Sequence, residues 1–188
     1  MASGYVDVPH ATYDQWKANT LGNEYDLDGS YGCQCWDYAS LFWRNVGFAA
    51  GYPLTGPNHS AYEIWTVNKE ANRGDKFYLI YDKTQIKRGD IIVMNATVSN
   101  PAGHITFADE DYNGTNSISC MGQNQGGTPS PGGGTAVTIN TLGLGDFLGV
   151  FRYVDWVQPT PPTPTRRTGF PWFIISRKLN NKRNGNML

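Results

Sequence analysis

The sequence predicts an α+β fold, in which short helices come first and pack on an antiparallel β-sheet. Helix-like spacing of apolar residues is confined to about the first 70 residues, and β-rich runs between Gly, Asn and Asp turns follow. Helices that precede strands, rather than alternating with them, favour an antiparallel sheet. The 188 residues, 39% of them hydrophobic, suffice for one domain with a complete core.

Three segments are predicted to be helices. Residues 12–20 are short and polar, and Thr12 is placed to cap their start. Residues 35–46 carry apolar side chains on successive turns, which predicts a largely buried helix. Residues 60–71 begin with a serine that can act as an N-cap, and they form the third predicted helix.

Five strands are predicted in the second half, because β-branched and aromatic residues there fall in short runs between turn residues. These runs are residues 77–81, 90–94, 104–108, 117–121 and 148–154. A Gly- and Pro-rich segment, GGTPSPGGG at residues 126–134, interrupts them and is predicted to be a surface loop.

Composition divides the chain into an acidic domain and a basic tail. Residues 158–165, QPTPPTPT, are predicted to be an extended linker between a domain at 1–157 and a flexible tail at 166–188. The first 165 residues contain sixteen acidic and nine basic residues, a net charge of −7. The tail contains six basic residues and no acidic one, a net charge of +6.

Signals for export and for disulfide formation are weak. The N-terminus has neither the basic nor the apolar region of a secretory signal, so synthesis and retention in the cytoplasm, or exit without a cleaved signal, is expected. Three cysteines are an odd number, which argues against a disulfide framework. The pair Cys33-x-Cys35 has too few companions for a zinc site.

Residues 26–39, DLDGSYGCQCWDYA, combine two kinds of chemistry. Carboxylates at alternating positions around Gly29 are typical of a calcium loop, although a solvated acidic turn has the same pattern. A cysteine then begins a predicted helix, where the helix dipole favours the thiolate. Further on, His104 lies in an apolar, β-branched run. A cysteine at a helix start and a histidine on a strand are the two essential parts of a cysteine hydrolase.

Four motifs in this order resemble a CHAP domain, the cysteine, histidine-dependent amidohydrolase/peptidase domain of bacteriophage endolysins and bacterial wall hydrolases. They are DLDGSYGCQCWD at 26–37, KRGDIIV at 87–93, GHI at 103–105 and GQN at 122–124. The resemblance covers about residues 10–155. It implies a papain-like fold, and the acidic loop is similar to that of the calcium-binding lysins.

The resemblance implies a role for each matching residue. Cys35 matches the nucleophile, and Cys33, the competing candidate, lies before the helix. His104 matches the general base, which takes the thiol proton and later protonates the leaving amine. The backbone N–H of Cys35, together with the side chain of Gln34, is expected to bind the oxyanion. Asn124 matches the third position, which orients the imidazole.

The third position departs from the lysin pattern. An acidic residue often lies two positions before the asparagine in those lysins, and Gly122 stands there in this chain. Whether Asn124 or one of the neighbouring amides, Gln123 and Gln125, orients the imidazole is therefore open.

A calcium ion with a structural role is implied by the same resemblance. The expected carboxylate ligands are Asp26, Asp28 and Asp37, and the backbone carbonyls of Ser30 and Gly32 complete the set. The ion would tie the acidic loop to the helix that carries the nucleophile.

The implied function is that of a phage lysin, a bacteriolytic thiol hydrolase of peptidoglycan that acts as an endopeptidase or an N-acetylmuramoyl-L-alanine amidase. The alternative is a virion-associated structural protein with a wall-degrading domain. The expected protein is a monomer that passes from the host cytoplasm to the cell wall after release, or is carried in the virion. The basic tail at 166–188 is expected to bind anionic wall polymer or membrane, and no nucleic acid.

Overall fold

The computed structural model describes residues 5–130 and 132–156. The predicted linker at 158–165 and the tail at 166–188 lie outside the described residues. The helices are α1 (Tyr13–Thr20), α2 (Cys35–Asn45), α3 (Glu63–Thr66) and α4 (Lys69–Arg73). The strands are β1 (Phe77–Ile80), β2 (Ile91–Met94), β3 (His104–Ala108), β4 (Ser117–Gly122), β5 (Thr138–Gly143) and β6 (Phe147–Tyr153). Two short 3-10 helices, Lys83–Gln85 and Val154–Trp156, complete the described elements.

The six strands form one sheet in the order β1-β6-β2-β3-β4-β5, and each pair of neighbouring strands is antiparallel. Every residue of β2 and of β3 is buried, because both faces of the sheet are covered at its centre. The helices pack on one face, and a smaller apolar cluster, to which the strands contribute Ile92, Ile118 and Val150, lies on the other. His104, the first residue of β3, pairs with Met94 of β2 and is buried.

Aromatic side chains fix α2 against the sheet. The ring of Tyr38 lies 5.1 Å from that of Phe107 on β3, and the ring of Phe42 lies 5.4 Å from it, measured between centroids. Trp16 of α1 is fully buried and stacks on Tyr38 with a centroid separation of 5.6 Å. Each buried aromatic side chain removes a large apolar area from water, so this cluster holds α2 and β3 together.

The α+β prediction is confirmed, and so is the cap of α1, because the Thr12 hydroxyl accepts from the Gln15 N–H at 3.1 Å. Two elements differ from the prediction. The single helix predicted at 60–71 is two short helices, because the Asn68 side chain turns back to the Thr55 carbonyl between them. Strand β5 was not predicted. It is an edge strand whose residues are half-buried or exposed, so its sequence lacks a buried strand's apolar run.

Within residues 5–130 and 132–156, no helix has the length and apolar character needed to cross a bilayer.

Candidate active site

The start of α2 presents the Cys35 side chain. Gln34 is the N-cap in an extended conformation, and Cys35 is the first helical residue. The Asp37 carboxylate accepts from the Gln34 N–H at 2.9 Å, which fixes the entry of the chain into the helix. The first N–H groups of a helix have no acceptor within it, so the Cys35 N–H is available to a ligand. The thiol therefore lies at the positive end of the helix dipole.

Cys35 and His104 form a buried pair across the junction of α2 and β3. Burial alone raises the pKa of the thiol, but the charge of His104, a hydrogen bond to its ring and one to the backbone of Ile105 together hold the pKa below its ordinary value. Burial alone lowers the pKa of His104, but the pairing with Cys35 and a hydrogen bond to Gln125 raise it overall. Both directions favour a thiolate beside an imidazolium.

The other cysteines lack this environment. Burial raises the pKa of Cys33 and raises the pKa of Cys120 to about 12. Both are free thiols with no exposed surface. Of the three cysteines, Cys35 is therefore the one whose surroundings stabilise a thiolate.

Gln125 contacts the far side of the His104 ring. Its Oε1 lies 3.2 Å from His104 Nε2. The motif match pointed to Asn124 and left Gln123 and Gln125 open, and the structure places Gln125 at this contact. Asn124 has a left-handed backbone conformation, with φ of 56°, and its exposed side chain donates to Gln34 Oε1 at 2.7 Å. The third amide, that of Gln123, is fully buried. Its Oε1 accepts from the Tyr25 N–H, and its Nε2 donates to the Tyr25 carbonyl.

The Gln34 side chain lies between two loops. Its Nε2 donates to the Tyr31 carbonyl at 2.6 Å, and its Oε1 accepts from Asn124. One hydrogen of Nε2 is left for another acceptor beside Cys35. Asn124 thus contacts Gln34, and the place of Gln34 at the oxyanion stays a prediction.

Three carboxylates of the acidic loop converge. One oxygen from each of Asp26, Asp28 and Asp37 lies within 4.8 Å of the others. Among the described residues, Asp26 Oδ1 is one of only two buried side-chain polar atoms without a hydrogen-bond partner. Burial, with Asp28 and Asp26 nearby, raises the pKa of Asp37 to about 6 even though it accepts from the N–H groups of Gln34 and Leu27. A buried, unpartnered oxygen inside a cluster of like charges fits a hard cation.

The expected carbonyl ligands lie in the same loop. The Ser30 N–H donates to Asp28 Oδ1 at 2.7 Å, which closes a turn, and Gly32 is buried with φ of 71°. That the carbonyl groups of Ser30 and Gly32 bind the ion stays a prediction.

The glycine-rich loop supports the acidic loop from outside. The Cys33 N–H donates to the Gly133 carbonyl at 2.9 Å. A Cβ on Gly32 would collide with the carbonyls of Gly132 and Gly133, and one on Gly134 would collide with the Cys33 carbonyl. Two backbones approach this closely only where neither carries a side chain. The sequence predicted a surface loop here and did not reveal this contact.

The fold and the site together define an α+β protein with a cysteine–histidine pair at the junction of a helix and a strand. The model of the CHAP domain family matches residues 22–124, which include Cys35 and His104. The chain belongs to the CHAP domain family.

Two curated proteins are similar to part of this chain. The D-alanyl-L-alanine endopeptidase of Streptococcus phage B30 is 33% identical over an alignment of 121 residues, which covers 62% of this chain and 25% of that protein. The probable autolysin PH of Staphylococcus aureus (strain NCTC 8325 / PS 47) is 32% identical over an alignment of 117 residues, which covers 61% of this chain and 22% of that protein. The aligned region thus spans about a quarter of each relative.

Two solved structures share the fold. The wild-type endolysin LysIME-EF1 superposes with a TM-score of 0.58 at 23% identity, covering 76% of this chain and 64% of that one. The structure of Ly7917 superposes with a TM-score of 0.50 at 20% identity, covering 79% of this chain and 63% of that one. At this level of identity the similarity establishes the fold alone.

Proposed function

We propose that this chain is a peptidoglycan hydrolase that cleaves an amide bond of the bacterial cell wall with Cys35 as nucleophile. The observation that carries the proposal is the buried Cys35–His104 pair at the start of α2 in a member of the CHAP family. Thiols whose pKa is lowered by a neighbouring imidazole occur preferentially at catalytic sites, because the thiolate is the reactive form.

The reaction follows from the placement of the groups. The Cys35 thiolate attacks the carbonyl carbon, and the negative charge that develops on the carbonyl oxygen is met by the Cys35 N–H and by Gln34 Nε2. The His104 imidazolium gives its proton to the amide nitrogen, the C–N bond breaks, and the amine leaves a thioester on Cys35. His104, now neutral, takes a proton from water. The hydroxide oxygen attacks the thioester, the C–S bond breaks, and the Cys35 thiolate departs from the new carboxylic acid, which loses its proton to solvent.

The bond that we propose as the first to test is a peptide bond of the stem or cross-bridge. The name of the phage B30 relative, a D-alanyl-L-alanine endopeptidase, supports this choice. The muramoyl–L-alanine amide is the other amide of the wall that the same chemistry serves. Either substrate requires the protein to reach the wall after its synthesis.

Clearing of a wall suspension tests the class of reaction. We expect purified peptidoglycan to lose turbidity with the unaltered chain, and the soluble products to carry new free amines without new reducing sugar ends. New reducing ends would assign the clearing to a glycosidase and contradict the proposal. Heat-denatured protein is the control for settling of the suspension.

We propose further that a calcium ion binds to Asp26, Asp28 and Asp37 and has a structural role. The unpartnered Asp26 Oδ1 and the convergence of the three carboxylates support this. The ion would supply positive charge that offsets the repulsion within the loop. Asp37 itself holds the Gln34 N–H, one residue before the nucleophile, so the order of the loop is coupled to the start of α2.

The pH dependence of alkylation tests the thiolate pair. In buffer that contains calcium, we expect iodoacetamide to modify Cys35 with a midpoint below the ordinary thiol value of 9.0, because His104 stabilises the thiolate. The substitution His104→Ala should move the midpoint upward, because burial then acts without an opposing charge. Mass spectrometry of the modified peptide measures both. A midpoint that His104→Ala leaves unchanged would contradict the pairing.

A further inference from the structure

We propose that Gln125 is the positioning residue for His104, that it fixes the Nε2–H tautomer of the imidazole, and that Gly122 makes room for it. The inference rests on the proposed function for its catalytic meaning, but its geometry stands independently. Gln125 takes the contact that the sequence match assigned to Asn124, and Gly122 stands where an acidic residue was expected.

Hydrogen bonds at both ends lock the Gln125 amide in one orientation. Its Nε2 donates to the Cys120 carbonyl at 2.8 Å and to the Thr138 carbonyl at 2.9 Å, which uses both hydrogens. Its Oε1 accepts from the Thr106 hydroxyl at 2.7 Å and faces His104. A flipped amide would place its oxygen against two carbonyl oxygens, so the flip is excluded.

This orientation determines the tautomer of the imidazole. Because Gln125 Oε1 has no hydrogen to offer, His104 Nε2 must donate, and it therefore carries a proton in the neutral ring. The other nitrogen, Nδ1, is then unprotonated, and it is the nitrogen left for the hydrogen bond between His104 and Cys35. A neutral ring with the opposite tautomer would present an N–H to the thiol and be unable to accept its proton. Gln125 thus keeps the basic nitrogen of His104 directed at the nucleophile.

The lack of a side chain at Gly122 creates the space for this amide. A Cβ built on Gly122 would lie 2.6 Å from Gln125 Oε1 and 2.7 Å from Thr106 Oγ1. Both distances are shorter than van der Waals contact, so an alanine would displace the oxygen that His104 contacts. The backbone of Gly122 lies in β4 without a left-handed conformation, so alanine is excluded by these two neighbours and not by backbone strain. The position of the Gln125 amide therefore depends on the glycine at position 122.

The tautomer is measured directly by long-range 1H–15N NMR of the histidine rings, in a Cys35→Ala protein at a pH where His104 is neutral. We expect the Nε2–H form alone for His104, and a mixture with the Nδ1–H form after the further change Gln125→Ala. The signals of His10 and His59 are assigned by replacing each in turn. A dominant Nδ1–H form in the Cys35→Ala protein, or a tautomer that Gln125→Ala leaves unchanged, would overturn the inference. This experiment needs no activity, so its failure is distinct from failure of the proposed function.

A double-mutant cycle links Gly122 to Gln125 through the rate of wall hydrolysis. In a chain with intact Cys35, we expect Gln125→Ala to lower kcat on the order of 10²-fold, with KM little changed. Gly122→Ala should lower kcat in the unaltered chain and have a smaller effect in the Gln125→Ala background, where only the contact with Thr106 remains. Additive losses would show that the two residues act separately and would overturn the arrangement. The replacement Gln85→Ala, on the short helix Lys83–Gln85, is the matched control for removing a glutamine amide.

Discussion

The substitution Cys35→Ala is expected to lower the rate of peptidoglycan hydrolysis by at least about 10³-fold, without loss of the folded state. The expectation follows from the site, where Cys35 is the one thiol with a lowered pKa and a partner imidazole. The removal of one sulfur atom from the first turn of α2 changes the core little, because the helix is held by Tyr38, Phe42 and Trp43. The measurement is the initial rate of turbidity loss, together with a thermal melt.

The matched control for this prediction is Cys33→Ala. Cys33 is buried two residues earlier, and burial raises the pKa of its thiol. Its side chain takes no part in the proposed reaction, so most of the hydrolytic rate should remain. A chain in which Cys33→Ala is inactive and Cys35→Ala is active would reverse the assignment of the nucleophile.

Removal of calcium is expected to lower both the melting temperature and the rate of hydrolysis. At calcium concentrations about 100 times Kd, binding stabilises the folded state by about 2.7 kcal/mol. For a chain of this size, chelation should therefore lower Tm by about 5–10 °C. The rate should fall as well, because Asp37 joins the acidic loop to the N-terminus of α2. Differential scanning calorimetry in EGTA, followed by readdition of calcium or magnesium, measures the effect.

A loop variant separates the calcium site from general loss of charge. Asp26→Asn should abolish the calcium-dependent shift in Tm, because Asp26 supplies the buried oxygen without a partner. Asp75→Asn removes an exposed carboxylate in the turn before β1 and should leave the shift intact. A calcium response that Asp26→Asn leaves unaltered would contradict the proposed site, and the same response with magnesium would contradict its preference for calcium.

The central features of the fold could be predicted because they depend on local patterns. The apolar periodicity of residues 35–46 predicted the buried helix α2, and the β-branched run around His104 predicted β3. The contact between Cys35 and His104 was predicted by motif order and by resemblance, since nothing local brings residues 69 positions apart together.

The features that the sequence left open or did not reveal depend on tertiary contacts. Gln125 reaches His104 because its amide is held by the carbonyls of Cys120 and Thr138 on two different strands, and β5 was itself unpredicted. The sequence signal for the Gln125 contact was Gly122, because the absence of a side chain next to three consecutive amides leaves space for one of them. The approach of the glycine-rich loop to Gly32 is equally non-local, and it becomes apparent only when both backbones are placed.

The central claim is that Cys35 and His104 hydrolyse an amide bond of peptidoglycan, and analysis of the new chain ends tests it most directly. Purified walls are digested with the unaltered chain and with Cys35→Ala, the free amines are labelled, and the fragments are identified by mass spectrometry. The proposal predicts that new amino groups of stem or cross-bridge peptides appear with the unaltered chain alone, in step with loss of turbidity. New amines in equal yield from Cys35→Ala, or clearing of the wall without any new amine, would contradict it.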